Sequence, residues 1–216
     1  MRRLPIGVQD FEKLRTENYL YVDKTDLVYK LATESAAYFL GRPRRFGKSL
    51  LVSTLKAYFQ GKRELFRGLA LEELEKEWKP YPVIHLDMTR AGVDFDNFEY
   101  RLIDRLKFHE KLWDLPGDEK NDAATRFYNL IANACEKSGE RVVVLVDEYD
   151  KQLVDHIADQ DLCDLFRAKL KDFYGVLKSA DEYLRFSFLT GVTKFSQVSV
   201  FSDLNHLDDI SMNYKY

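Results

Sequence analysis

The chain has 216 residues, 33 of them lysine or arginine and 36 aspartate or glutamate, for a net charge of −3. Hydrophobic residues make up 45% and aromatic residues 14%, which suits a packed core and excludes a disordered chain. That charge balance excludes a globally basic nucleic-acid surface, and the length suits one sizeable domain.

Cys135 and Cys163 fall in predicted helices without a partner motif and read as reduced core residues. His85, His109, His156 and His206 lack ligand spacing. The start MRRLPIGVQDF carries no long apolar run, and no stretch of 18 apolar residues follows. Secretion and membrane spanning are disfavoured, and a cytoplasmic location is expected.

Apolar runs alternate with helical patterns, which predicts an α/β fold with a mainly parallel sheet. Asp23 can cap a helix over Lys24 to Thr33, with Asp26 at its third position. A short strand over Ala37 to Leu40 follows. The next helix, Ser49 to Phe59, is expected to bury Leu51, Leu55, Tyr58 and Phe59 and to stop at Gly61. Residues 63 to 79 read as helical, with Leu65, Phe66, Leu69, Leu71 and Leu74 inward. Val83 to Met88 reads as a strand and Asp94 to Trp113 as a helix. Asp94, Asp96 and Glu99 read as the solvated start of that helix rather than a metal cluster. After the loop at Leu115 to Asp118, a helix runs from Asp122 to Lys137 and ends at Gly139. Arg141 to Asp147 (RVVVLVD) has five consecutive apolar residues and suits a strand buried on both faces. Lys151 to Lys178 is helical in two pieces, Tyr183 to Thr190 is a strand, and a short strand is expected near Asp209 to Met212.

Residues Tyr38 to Ser49 read YFLGRPRRFGKS: strand, basic turn, glycine, lysine, hydroxyl, then a helix. That is the layout of a phosphate-binding loop, in which free backbone N–H groups and the positive helix end receive phosphate oxygens. Gly47 permits close backbone approach, Lys48 reaches the β- and γ-phosphates, and the Ser49 hydroxyl meets Mg²⁺. Arg44 and Arg45 add positive charge at the mouth. The usual spacing puts glycine at position 42, where this chain has Arg42, with Gly41 one residue early. A basic turn that merely contains Gly-Lys-Ser is the plain alternative.

Asp147 and Glu148 close the valine-rich strand about 100 residues further on. An acid there is placed to hold Mg²⁺, and a second to polarise an attacking water. Capping of the next helix by Asp147 or Asp150 is the alternative. The polar turn Thr190-Gly191-Val192-Thr193 offers Thr190 or Thr193 as a sensor of the γ-phosphate, against the reading of an ordinary turn. The aromatic residues mostly fall at core spacing, and Arg2-Arg3 reads as a solvated terminus.

These blocks, with LPIGVQDFEKLRTENYLYVDKTDLV at the start and FLTGVTKFSQVSVFSDLNHLDDIS at the end, resemble the bacterial AAA-ATPase-like family of P-loop proteins. The RPRRFGKS form is typical of that family, so Arg42 is a variant rather than a defect. The resemblance implies a three-layer P-loop domain of the additional-strand class over residues 1–216, with 1–36 integral to it. It implies ATP contacts from Arg42, Pro43, Arg44, Arg45, Phe46, Gly47, Lys48, Ser49 and Leu50. It further implies Mg²⁺ at Ser49 and Asp147 and water activation near Glu148. Together with the reading of the residues, Glu148, Lys48 and Thr193 are the expected catalytic residues. Longer family members carry a helical lid and a C-terminal nuclease-like domain, and no motif of either is found before Tyr216. A truncated chain or a short natural member is therefore expected. Slow ATP hydrolysis that drives or switches an attached effector is the expectation. A non-catalytic nucleotide switch and a nucleic-acid-associated module are the alternatives, and assembly into a homo-oligomer stays open.

Overall fold

The structure, a computed structural model, describes residues 2–92, 94–192, 207–213 and 215. Strands β1 (Ala37–Gly41), β2 (Val83–Asp87), β3 (Val142–Asp147), β4 (Leu184–Gly191) and β5 (Asp208–Asp209) form one sheet in the order β2-β3-β4-β1-β5. Every neighbouring pair is parallel. Parallel neighbours need crossovers over the sheet faces, and here helices supply them. On one face lie α1 (Phe11–Thr16), α2 (Thr25–Glu34), α3 (Lys48–Phe59) and α4 (Ala70–Leu74). On the other lie α5 (Phe95–Leu112), α6 (Ala123–Ser138), α7 (Lys151–Asp155) and α8 (Gln160–Ser179). The result is a three-layer α/β architecture.

The valine-rich run explains why β3 lies inside the sheet. Val142, Val144 and Val146 enter the core under α5, α6 and α8, while Val143 and Leu145 enter the core under α3. All six residues of β3 are buried, so side chains on both faces are removed from water. Several helix ends follow their local signals. The Asp94 and Asp122 side chains accept backbone N–H groups at the starts of α5 and α6. Gly139, at φ 70°, closes α6 in the left-handed conformation that glycine adopts without strain.

Five expectations are corrected. Helix α2 starts at Thr25, and Lys24 is its N-cap without a side-chain bond. Asp23 instead accepts the Thr25 N–H and hydroxyl at 2.9 and 2.8 Å, and its other oxygen takes the Ala70 N–H at 2.8 Å. Its carboxylate is thus spent on joining α2 to α4. Helix α3 begins at Lys48 and buries Val52, Leu55, Ala57 and Phe59, while Leu51 and Tyr58 are half-buried. Residues 63 to 79 are not one helix. A 3-10 turn over Arg63–Phe66 and the short α4 are separated by Gly68 at φ 73°. Leu65, Phe66, Leu69 and Leu71 are buried as expected, and Leu74 is exposed. Strand β2 ends at Asp87 because its carboxylate takes the Thr89 N–H and hydroxyl and turns the chain. The last strand is Asp208–Asp209, and beyond it Ser211 accepts the Gly41 N–H at 2.7 Å.

Candidate functional site

The site forms at the carboxyl ends of the strands, where open parallel sheets leave a crevice. Gly41 ends β1, and the Arg42 N–H donates to the Gly191 carbonyl at 3.1 Å. Pro43, Arg44, Arg45, Phe46 and Gly47 are exposed, whereas Ser49 and Leu50 in the first turn of α3 are half-buried. Arg45 and Gly47 sit at φ 69° and 74°. That conformation costs an arginine about 1 kcal/mol and a glycine almost nothing. Among the described residues, the N–H groups of Arg44, Arg45 and Gly47 donate to no acceptor. Gly47 is the N-cap of α3 and brings no side chain, so the open helix end faces outward. Lys48 is only 6% exposed. Its ammonium donates to the carbonyls of Arg42 at 2.9 Å and Pro43 at 3.2 Å. Among the described residues it makes no ion pair.

At the end of β3, Asp147 is 7% exposed and accepts the Thr190 hydroxyl proton at 2.6 Å. The same hydroxyl oxygen accepts the Glu148 N–H at 3.3 Å. Thr190, fully buried in β4, therefore bridges both acids. Glu148 has φ 54°, a left-handed conformation in a residue with a Cβ, which stores strain of about 1 kcal/mol or more. Burial, and next the charge of Asp147, holds its carboxyl above the usual glutamate value, while Lys48 and Arg44 pull it down. Turn and acids thus share one field.

Asp150 does not cap α7 through its side chain. Both of its oxygens accept the Val192 N–H, at 3.2 and 3.0 Å. Gly191 is required there, because a Cβ on it would lie 2.2 Å from Cε1 of Tyr149.

Of the expected site residues, the structure gathers the turn from Arg42 to Leu50 with Asp147, Glu148 and Thr190. Thr193 lies outside the described residues. Two acids were missed. Asp87, in register with Asp147 on the neighbouring strand, ion-pairs with Arg90 at 3.2 Å, and its signal was an acid at the end of an apolar run. Asp150 carried no local signal beyond a capping pattern. Cys135 and Cys163 are free.

Strands β1 and β3 do not touch. β4 lies between them, and the turn and the acid pair open side by side at the same edge of the sheet. That order of strands beneath a helix-capping glycine and lysine is the arrangement of the P-loop NTPases. The chain belongs to the family described as "Predicted AAA-ATPase", whose sequence profile matches residues 5–201. Membership supports a nucleotide-binding P-loop domain. Over 217 residues the chain is also 41% identical to "Uncharacterized protein in vnfD 5'region" of Azotobacter chroococcum mcd 1, a match covering 100% of this chain and 42% of that protein. The chain therefore spans less than half the length of this relative. Among the described residues no helix is long and apolar enough to cross a membrane.

Proposed function

We propose that the turn binds the triphosphate of ATP together with Mg²⁺ and that the acid pair hydrolyses it slowly. One observation carries this reading: a buried lysine held only by carbonyls at the end of β1 and a buried aspartate held by Thr190 at the end of β3 open at the same edge of the sheet, with β4 between them. The donor set fits an anion, with unbonded amides at Arg44, Arg45 and Gly47, the α3 N-terminus, and an ammonium satisfied by carbonyls alone. It also fits a hard cation, because the Ser49 hydroxyl and the Asp147 carboxylate are oxygen donors. Mg²⁺ held by these two would neutralise charge on the β- and γ-phosphates.

Lys48 exchanges its carbonyl partners for phosphate oxygens. Thr190 fixes Asp147. Glu148 accepts the proton of a water whose oxygen attacks the γ-phosphorus, and the bond from that phosphorus to the β-phosphate oxygen breaks, giving ADP and phosphate. An arginine at the mouth, Arg44 or Arg45, or one from a second copy, balances the developing charge. The two free thiols fit a reducing cytoplasm. Calorimetric titration with ATP and Mg²⁺ tests the reading, and heat of binding is expected. No binding at millimolar ATP overturns it.

A second reading, a nucleotide switch without turnover, is favoured by the seat of Lys48 on its own turn, because ligand arrival must rearrange that turn. Equal, background turnover in wild type and Glu148→Gln, with ATP-dependent assembly, would select it.

A further inference from the structure

A cavity of about 420 Å³ lies beyond the end of β2, between the 3-10 turn Met88–Arg90 and the first half of α5. Strands β3 and β4 stand between it and the turn that follows β1. Its lining is Arg90, Asn97, Tyr100, Arg101, Asp104 and Arg105, three cations against one acid. Asn97, Arg101 and Arg105 recur every four residues, which sets them on one stripe of the helix. Tyr100 is 67% exposed, and Phe108, 64% exposed, lies about 12 Å further along the same helix.

The arginines keep donors in reserve. Arg90 gives its Nε to Asp87 at 3.2 Å, and Arg105 gives one Nη to Asp104 at 3.3 Å. The Arg105 Nε is buried with no hydrogen-bond partner among the described residues. Arg101 makes neither a hydrogen bond nor an ion pair among the described residues. Its place is nevertheless set by the backbone below it. Gly92 has φ 83°, and a Cβ there would lie 2.8 Å from the Arg101 Cδ and Nε. Gln152, fully buried in α7, donates its Nε2 to the carbonyls of Met88 at 2.9 Å and Gly92 at 3.2 Å, which pins both ends of the turn.

We propose that this face of α5 binds a single strand of nucleic acid, with backbone phosphates on Arg90, Arg101 and Arg105 and bases on Tyr100 and Phe108. The inference goes beyond the nucleotide reading and does not depend on it. A guanidinium fork meets two phosphate oxygens at once. An exposed ring offers its face to any base, and only an unpaired base can lie on it, so a strand fits where a duplex does not. An acidic peptide would satisfy the arginines and leave both rings without a stacking partner. With a net charge of −3 on the chain, the basic patch acts locally.

The test is fluorescence anisotropy of a labelled oligothymidylate with the full chain at low salt. Binding is expected, with log K falling against log salt at a slope of about −2 for three phosphates. Arg101→Ala, at an exposed position, should weaken binding about fivefold and reduce the slope by about 0.7. Tyr100→Ala should weaken it about fivefold with the slope unchanged. The strand annealed to its complement should bind less tightly. Lys48→Ala should bind the strand as the wild type does, and loss of binding there would move the strand to the turn and overturn the proposal. Absence of binding, or binding that Arg101→Ala and Arg105→Ala leave unchanged, also overturns it. So does displacement by polyglutamate or inorganic polyphosphate as readily as by unlabelled strand, which would make the face a general anion site.

Discussion

At the end of β1 the chain runs exposed from Pro43 to Gly47, with amides that bond to nothing described. At the end of β3, Asp147, Tyr149 and Asp150 are buried, and each bonds to the end of β4 or the residue after it: Asp147 to the Thr190 hydroxyl, Tyr149 to the Thr190 carbonyl at 2.8 Å, Asp150 to the Val192 N–H. In the cationic half the protein supplies partners for the Lys48 ammonium but none, among the described residues, for the amides of Arg44, Arg45 and Gly47. The acidic half is fixed by the protein's own bonds, which is the preorganisation that the proposed charge-stabilising role requires. Affinity should therefore reside in the turn, and rate in the acids.

Lys48→Ala is the strongest way to break this contrast. It removes the turn's buried cation, and the Kd for ATP should rise at least about a hundredfold by titration. Glu148→Gln should leave that Kd within about threefold and lower turnover by about 10² or more, read by phosphate release. Loss of binding in Glu148→Gln would mean that the acids also hold the ligand.

Acid titration tests the scaffold under both halves. His109 is buried, with its pKa held down to about 4, chiefly by burial. An unfolded histidine titrates near 6.5, so between that pH and about 4 the unfolded chain takes up a proton that the folded chain refuses. Stability should fall with pH through this window, by about 2 kcal/mol at pH 5, and stay level above 6.5. A melting temperature that does not change from pH 7 to pH 5 would contradict this. Thr190→Val carries the smallest expected effect. It removes the bridge to Asp147 and Glu148, costing about 1 to 2 kcal/mol in denaturant unfolding. Turnover should fall about tenfold, with ATP affinity nearly intact.

The layout of the candidate site was legible where it is local. Strand, turn and helix start are consecutive, so the place of Gly47, Lys48 and Ser49 at the start of a helix could be read from order alone, as could that of Asp147 and Glu148 at the end of a strand after five apolar residues. The place of Thr190 beside Asp147 was not legible, because it depends on how β4 registers against β3, where Val146 pairs with Leu189; Thr193 lies outside the described residues. Helix ends at Asp94, Asp122 and Gly139 were legible because capping is a short-range hydrogen bond. Residues 63 to 79 misled because their charge pattern suits a helix, while burial of Phe66 and Leu71 against the sheet face fixed two short pieces instead. The cavity between Arg90 and α5 could not be read at all, since its walls come from segments that meet only in the folded chain.

Gly191 gives the contrast a mechanical side. Its carbonyl accepts the Arg42 N–H, its Cα presses on the Tyr149 ring, and its neighbour Thr190 holds Asp147. The linkage from acid to turn is four residues long, with van der Waals contact in place of slack. A sideways shift at the end of β3 would therefore be handed to the base of the turn like the throw of a short lever, and if the turn holds a phosphate as proposed, a change of charge there would be felt as strain where the turn leaves β1.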